Sequence, residues 1–237
     1  MARKVKEEDY ASRRKEILDV ARTLVYTKGY EQMSIQDILD ELKISKGAFY
    51  HYFDSKPALL EALIDRFADE AESAVFPILQ EPNLSALEKL QHYFSTAVRW
   101  KVAQKDYLLA IVRVWYSDDN AIIRQKVFSK MLKRFAPSFV PVIRQGIQEG
   151  SLATAFPDQA MEIVFYTIQG LSDKFGEAIL ASETGSSNAS PEEQALAMEN
   201  DVAAYTDTLE RVLGAEKGSI QLMDTAATRM WFDLKAG

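Results

Sequence analysis

The sequence contains no cysteine and only two histidines among its 237 residues. Disulfides, thiolate metal sites and a cysteine nucleophile are therefore excluded, and a histidine-rich metal cluster is excluded as well, although sites built from Asp and Glu stay possible. No run of about 18 uncharged apolar residues occurs, so we expect no transmembrane helix. The basic N-terminus is not followed by the apolar segment of a signal peptide. We expect a soluble, cytoplasmic protein with no membrane partner and no cofactor.

Charge is distributed unevenly along the chain. The formal net charge is −7, yet the first 60 residues contain 11 Lys and Arg against 10 Asp and Glu, whereas the rest contains 17 against 25. Such an asymmetry is typical of a chain whose N-terminal part meets an anion and whose remainder does not. The alternative interpretation is an ordinary solvated surface.

Apolar residues recur at helical spacing through most of the chain, and no segment shows the two-residue alternation of a strand. Hydrophobic residues make up 47 % and charged residues 27 %, which suffices for a globular core. The predicted fold class is all-α, with a polar loop at 182–191. The predicted helices are 9–28, short helices after Ser34 and Ser45, a helix from Ser55 to Val75 that Pro77 and Pro82 end, and then 84–104, 106–117, 120–135, 138–149, 157–180, 191–213 and 230–234.

The first three helices have recognisable ends. Gly29 follows the first helix and is typical of a left-handed residue just beyond a helix C-terminus. Ser34 predicts the N-cap of the second helix, because Asp37 follows three residues later, close to a capping box. Ser45 predicts the N-cap of the third helix after a very short connection. Residues 1–55 therefore predict three helices, with a tight turn between the second and the third, which is a helix-turn-helix.

The segment "ISKGAFYHYFDSK" predicts which face of the third helix is exposed. Phe49 and Phe53 are four residues apart and are predicted to face the core. The helix would then present Lys46, Gly47, Tyr50 and His51 outward. A recognition helix enters the major groove of DNA with its N-terminal residues, and these side chains suit phosphate or base contacts.

The stretch "RRKEILDVARTLVYTKGYEQMSIQDILDELKISKGAFYHYFDSKPALLEALID", Arg13 to Asp65, resembles the TetR family of bacterial transcriptional regulators. The pieces similar to the family signature are "ILDVARTLVYTKGY", "SIQDI" and "ISKGAFYHYFDSK". The later stretch "GIQEGSLATAFPDQAM", Gly146 to Met161, resembles the family's junction before its dimerisation helices. The resemblance implies an N-terminal three-helix DNA-binding headpiece with a helix-turn-helix, residues 1–55, and a larger helical ligand-binding and dimerisation body, residues 56–237.

The resemblance also implies site residues and partners. The implied partners are a double-stranded DNA operator and a second copy of the chain, whose late helices, about 158–181 and 191–213, would form a four-helix bundle with those of the first. The DNA contacts implied at positions matching the family motif are Ser34, Gln36, Lys46, Gly47, Tyr50, His51 and Lys56. The family's residue at the position of His51 varies.

A small-molecule effector of unknown identity is the remaining implied partner. Aromatic residues with a few polar groups among them are typical of a ligand pocket, although an aromatic stripe at helical spacing is usually core. The predicted ligand-binding residues are His92, Trp100, Arg113, Tyr116, Tyr166 and Gln169. Arg113 is either exposed, at a dimer surface, or turned into a pocket toward an acidic group.

The predicted function is a sequence-specific transcriptional regulator: a ligand-responsive repressor that binds a palindromic operator as a dimer and is released by a small molecule. The alternatives are a DNA-binding dimer without a ligand and a transcriptional activator. An enzyme is disfavoured, since the body contains no cysteine, one histidine and no recognisable nucleophile and base.

Overall fold

The computed structural model describes residues 2–116 and 121–232, and within them the side chains of 9–112, 115, 116, 121, 124–182 and 184–232. All regular elements in these ranges are helical, which confirms the all-α fold class. The helices are α1 (Ala2–Lys28), α2 (Ile35–Leu42), α3 (Lys46–Tyr50), α4 (Lys56–Val75) with a 3-10 helix (Phe76–Gln80), α5 (Ala86–Ala103), α6 (Lys105–Trp115), α7 (Ala121–Glu149), α8 (Pro157–Glu183), α9 (Pro191–Leu213) and α10 (Thr225–Met230).

The chain divides into two compact units. The first comprises Met1–Asp69 and Asp106–Val127, and the second comprises Glu70–Lys105 and Phe128–Gly237. The first unit contains the predicted headpiece together with later segments of the chain. The boundary between DNA-binding and ligand-binding functions after residue 55 stays a prediction, because compactness does not assign a function.

The core of the first unit is built from the apolar faces predicted for the first helices. Ile17, Ala21 and Val25 of α1 and Phe49 of α3 are fully buried. Phe53, which follows α3, is 4 % exposed, as the four-residue spacing requires. Burial of Phe49 and packing against α2 stabilise α3, because five residues are too few to form a stable isolated helix.

Local capping chemistry sets the bounds of α2 and α3. The Ser34 Oγ accepts a hydrogen bond from the Asp37 backbone N–H, and the Asp37 carboxylate accepts one from the Ser34 N–H, so the capping box is complete. The Ser45 Oγ accepts from the Ala48 N–H in the same way. Between the two helices, Lys43 adopts a left-handed conformation with φ 52°. The predicted helix-turn-helix is thus present.

The prediction of separate helices at 120–135 and 138–149 is wrong. A single helix, α7, continues through Pro137 and Pro141. Each proline removes one backbone donor, but both prolines are exposed, so water can bind the carbonyls left without a partner. On the opposite face Phe139, Val142 and Ile143 are buried, and their packing carries the helix past the prolines.

The second unit contains a closely packed pair of helices, α8 and α9. A Cβ added at Gly170 of α8 would lie 3.0 Å from the Tyr205 hydroxyl oxygen, so the small residue permits the close approach. The α9 helix ends at Leu213, and its C-cap Gly214 has a φ of +63°. The Ala153 backbone N–H donates to the Leu213 carbonyl there, and a Cβ at Gly214 would lie within 2.9 Å of the Ala153 main chain.

Several predicted boundaries differ from the structure. The α1 helix begins at Ala2 instead of at residue 9, since its first residues, although polar, are mostly good helix formers. The α8 helix extends to Glu183, two residues into the predicted loop, and Ser190 caps α9. The C-terminal helix spans Thr225–Met230 because Asp224 caps its start, so the prediction of a helix at 230–234 is wrong at 231 and 232, and 233–234 lie outside the described residues.

Candidate nucleic-acid interface

The third helix presents the side chains that the sequence predicts for DNA contact. Phe49 is fully buried and fixes the rotation of α3. Lys46, Gly47, Tyr50 and His51 are consequently exposed together, and 39 % of the Tyr50 surface is accessible. Their joint exposure is what a recognition helix requires, and their role in DNA contact stays a prediction.

Nothing within the protein requires a glycine at position 47. A Cβ built there would find one neighbour, the Ser45 Oγ at 4.0 Å, which is ordinary contact. Glycine in a helix costs about 0.5–1 kcal/mol relative to alanine, so its presence has no benefit for the isolated fold. A partner that approaches the backbone from outside would explain this residue.

A network of charged and polar groups surrounds the start of α2. The Lys28 Nζ lies 2.7 Å from the Asp37 Oδ1. This hydrogen bond, together with those from the Ser34 backbone and side chain, lowers the pKa of Asp37 to about 2. The Ser34 hydroxyl is exposed, but it already acts as the helix cap. Any phosphate contact by Ser34 would be additional to that structural function.

The predicted contact residue Gln36 is the second residue of α2. Its side chain is exposed, and its Nε2 donates to the Asp40 Oδ1 at 2.7 Å. Because this is an exposed pair four residues apart on one helix, it is worth only a few tenths of a kcal/mol, about 0.2–0.5. The Gln36 amide is therefore easily redirected to another acceptor.

The predicted phosphate ligand Lys56 begins α4 and is held in place by two contacts. Its Nζ donates to the Glu31 backbone carbonyl at 3.2 Å and lies 4.3 Å from the centroid of the Tyr30 ring. Tyr30 is 6 % exposed, and this burial raises its pKa to about 12. An ammonium group has three donors, so Lys56 retains capacity for a phosphate oxygen.

The sequence analysis missed two residues of α1 that pack near this face. The Tyr10 ring contacts the rings of His51 and Tyr52. The Arg14 guanidinium lies 4.9 Å from the centroid of the Phe53 ring. Tyr10 precedes Ile17 by seven residues, which places both on one face of a helix. That spacing was the available signal, although it does not indicate the partner element.

Two predicted ligand-binding residues belong to the first unit. The side chain of Arg113 lies outside the described residues, so the alternatives for it stay open. Tyr116 is half-buried, and the Arg124 guanidinium lies 5.3 Å from the centroid of its ring. The ligand-binding assignments of both residues therefore stay predictions.

The four other predicted ligand-binding residues belong to the second unit and differ in exposure. His92 is exposed on α5, and Trp100 on the same helix is half-buried. Tyr166 of α8 is 54 % exposed, with the Phe128 ring 5.1 Å away. Gln169 is half-buried and donates to the Asp173 Oδ1 at 2.8 Å. The ligand assignments of these residues also stay predictions.

Two features are absent from the residues that the structure describes. No helix there is both long enough and apolar enough to cross a membrane. In the same part of the chain, no three His, Asp or Glu side chains are grouped as metal ligands would be.

Comparisons with known proteins find relatives of both parts of the chain. The family described as "Bacterial regulatory proteins, tetR family" matches residues 17–63. The family described as "Tetracyclin repressor-like, C-terminal domain" matches residues 111–174, so the similarity extends beyond the headpiece.

The curated relatives include named repressors. The HTH-type transcriptional repressor KstR2 of Mycobacterium tuberculosis is 27 % identical over 168 residues, which is 67 % of this chain and 76 % of that protein. The HTH-type transcriptional repressor DhaR of Mycobacterium sp. is 22 % identical over 158 residues, which is 66 % of this chain and 79 % of that protein.

A solved structure supports the fold. The crystal structure of a TetR-family transcriptional regulator from Pectobacterium atrosepticum has a TM-score of 0.61 at 17 % identity, covering 87 % of this chain and 96 % of that chain. The all-α architecture, the helix-turn-helix and these relatives define a helix-turn-helix transcriptional regulator. The chain belongs to the TetR family, whose members bind DNA. Family membership also confirms the prediction that the chain is not an enzyme.

Proposed function

We propose that the chain is a cytoplasmic repressor that binds a palindromic operator as a homodimer and is released by a small-molecule effector. Two relatives, KstR2 and DhaR, are named as transcriptional repressors, which supports the direction of control. The predicted contacts to the operator lie on α2 and its N-cap, on α3 and its C-cap, and on the first residue of α4.

The observation that carries the proposal is the face formed by Lys46, Gly47, Tyr50 and His51. All four are exposed, and the position of a Cβ at Gly47 is empty. An empty position on a helix that is otherwise held by Phe49 leaves room for a base edge or a phosphate to approach the backbone. Lys46 neutralises a phosphate and Tyr50 donates to one in this arrangement.

The exposed apolar residues of α8 and α9 support a dimer. Ile163 and Tyr166 of α8 and Leu196 of α9 are 48 %, 54 % and 57 % exposed, although they belong to helices whose opposite faces are buried. Ile163 and Tyr166 lie three residues apart on one face of α8, and neighbouring exposed apolar residues of this kind are typical of an interface. A two-fold dimer presents two copies of α3, which requires a palindromic operator whose half-sites lie one or more helical turns apart.

Release by an effector follows from linkage. An effector that prefers the conformation with weaker operator binding lowers operator affinity, and the operator lowers effector affinity by the same factor. A coupling free energy of about 1–3 kcal/mol corresponds to about 5- to 150-fold. The second unit supplies aromatic side chains such as Tyr93 and Phe139, whose ring centroids are 4.6 Å apart, as apolar material for a site.

Selection from random DNA duplexes tests the proposal. Wild type is expected to enrich a palindrome, and the Lys46→Ala/Tyr50→Ala double variant is expected to lose it. Lys46→Ala alone should reduce the slope of log affinity against log salt by about 1, because one phosphate is no longer neutralised. The selected duplex then serves as the probe in a screen for molecules that release the protein.

Gly47→Ala separates an effect on operator binding from an effect on folding. The substitution meets no obstacle inside the protein, so the free energy of unfolding should be unchanged or higher by up to about 1 kcal/mol. Operator affinity should nevertheless fall, because the methyl group occupies the space of the approaching DNA. A folded wild type that selects no sequence, or Gly47→Ala and the double variant with wild-type affinity, would contradict the proposed interface.

A further inference from the structure

Three aromatic rings meet where α1 passes the end of α3. The centroids of the Tyr10 and Tyr52 rings are 4.7 Å apart, with their planes tilted by 35°. The Tyr10 and His51 centroids are 5.5 Å apart and the planes are nearly perpendicular, at 86°. The His51 and Tyr52 centroids are 5.1 Å apart at 76°. Each ring thus contacts both others, and we call this group the ring cluster.

The ring cluster lies at the C-terminal end of a very short helix, α3. The α3 helix has five residues, and His51 is its C-cap, the position at which a helix frays most easily. Phe49 holds the preceding turn in the core, but the His51 side chain is exposed. Contacts with two neighbouring rings therefore restrict the direction in which the imidazole points.

Tyr10 reaches this place because α1 is long. The matched family region begins at residue 17, so Tyr10 lies two turns before it. The ring is 40 % exposed, which leaves one side of it open while the other side packs. Aromatic pairs in edge-to-face geometry are favourable beyond their buried area, so the Tyr10 contacts constrain orientation and not merely packing.

We propose that Tyr10 is a positioning residue of the DNA-binding face, which holds the His51 imidazole in the orientation that meets the operator. The inference rests on the proposed function. Tyr10 acts through His51, so it influences both the affinity for the operator and the base preference at the position that His51 approaches, without itself contacting DNA.

A double-mutant cycle tests this role on the full chain, with the duplex that wild type selects. Tyr10→Ala is expected to weaken binding by about three- to tenfold, the range that corresponds to ordering one side chain on binding that was already ordered in wild type. In a His51→Ala background the same substitution should change affinity by less than about twofold, because the residue through which Tyr10 acts is gone. Tyr10→Phe retains the ring and should bind as wild type does.

Two further measurements separate positioning from folding. Tyr26 lies on the same helix and is 55 % exposed, so Tyr26→Ala is the matched control and should leave affinity unchanged. When the selection is repeated, Tyr10→Ala and His51→Ala should each show a weaker base preference than wild type. The operator positions affected should be the same for both variants. Should Tyr10→Ala fail to fold, Tyr10→Leu retains apolar bulk without the ring and is expected to show the same loss.

Several outcomes would overturn the inference. Equal losses for Tyr10→Ala in the wild-type and His51→Ala backgrounds would show that Tyr10 acts without His51. A loss in Tyr10→Phe equal to that in Tyr10→Ala would assign a direct contact to the hydroxyl. Wild-type affinity in Tyr10→Ala would leave the ring cluster without a function in binding. A wild type that selects no duplex would overturn the proposed function, and the inference with it.

Discussion

At the scale of single residues, Asp37 combines several tasks at the entrance to α2. It completes the capping box with Ser34 and forms an ion pair with Lys28. Since Ser34 is also a predicted DNA contact, Ser34→Ala would remove the cap as well, at a cost of about 1 kcal/mol. Ser34→Asn retains a capping oxygen and is the better variant for testing a phosphate contact.

The depressed pKa of Asp37 predicts an acid-sensitive contribution to stability. Its pKa falls from 3.8 to about 2 on folding, so the unfolded state binds the proton more readily. The stabilisation is fully present above about pH 4 and is lost as the pH falls toward 2. Asp37→Asn should therefore be less stable than wild type at neutral pH, and the difference should shrink over this range in chemical unfolding experiments.

Lys28→Met provides the control for that prediction. Removal of the ammonium group should raise the pKa of Asp37 toward its ordinary value, because the hydrogen bond from Lys28 is the largest cause of the shift. Nuclear magnetic resonance titration of the carboxyl group measures this change. An unfolding free energy that depends on pH identically in wild type and Asp37→Asn would show that Asp37 makes no such contribution.

At the scale of elements, the turn between α2 and α3 contains a residue in an unfavourable conformation. Lys43 has φ 52° and ψ 45°, and its backbone N–H donates to the Leu39 carbonyl as the cap of α2. Among the described residues it is the one with a positive φ that is not glycine. A side chain in this region costs about 1–2 kcal/mol, which the rest of the helix-turn-helix must offset.

Lys43→Gly is expected to stabilise the protein by about 0.5–1 kcal/mol, since relief of the left-handed conformation exceeds the larger backbone entropy of glycine. Lys43→Ala removes the same exposed side chain but keeps the Cβ, and should leave the free energy of unfolding nearly unchanged. Urea denaturation of the three proteins measures the difference. A Lys43→Gly protein less stable than Lys43→Ala would show that no strain is stored in this turn.

The elements that could be predicted from the sequence are those with local causes. Ser34 and Ser45 mark helix starts because a serine hydroxyl caps the backbone a few residues away. The exposed face of α3 followed from the spacing of Phe49 and Phe53. The continuation of α7 through Pro137 was not predictable in this way, because it depends on core packing against other helices, which overrides the local preference.

The ring cluster was missed for the same physical reason. The spacing of Tyr10 and Ile17 places them on one face of α1, but the contact with His51 joins residues far apart in the sequence. Nothing in local sequence chemistry specifies which element an exposed helix face will meet. The exposed residues of α3 were therefore predictable from the sequence, whereas the ring contact of Tyr10 with His51 was not.

At the scale of the whole molecule, the proposed dimer determines whether two copies of α3 can bind one operator. Ile163 and Leu196 are large apolar side chains that remain exposed on α8 and α9. The proposed four-helix bundle would bury both. A monomer would present a single α3 and would lose the benefit of a palindromic site.

We expect wild type to sediment as a dimer at micromolar concentration. Ile163→Glu and Leu196→Glu should each raise the dimer dissociation constant by more than about tenfold, because a carboxylate would be buried without a partner. Met230 of α10 is also an exposed apolar residue, at 45 %, so Met230→Glu is the matched control and should remain dimeric. A monomeric wild type, or dimers in both interface variants, would exclude these helices as the interface.

The close approach of Gly214 to the Ala153 main chain limits which residues position 214 can accept. At Gly214 a side chain would meet the main chain of Ala153, which cannot rotate away as the end of a flexible side chain can. Gly29 has a positive φ as well, but nothing lies within 4 Å of its missing Cβ. In a library of all single substitutions selected for a working regulator, position 29 should admit asparagine, whereas position 214 should return glycine alone.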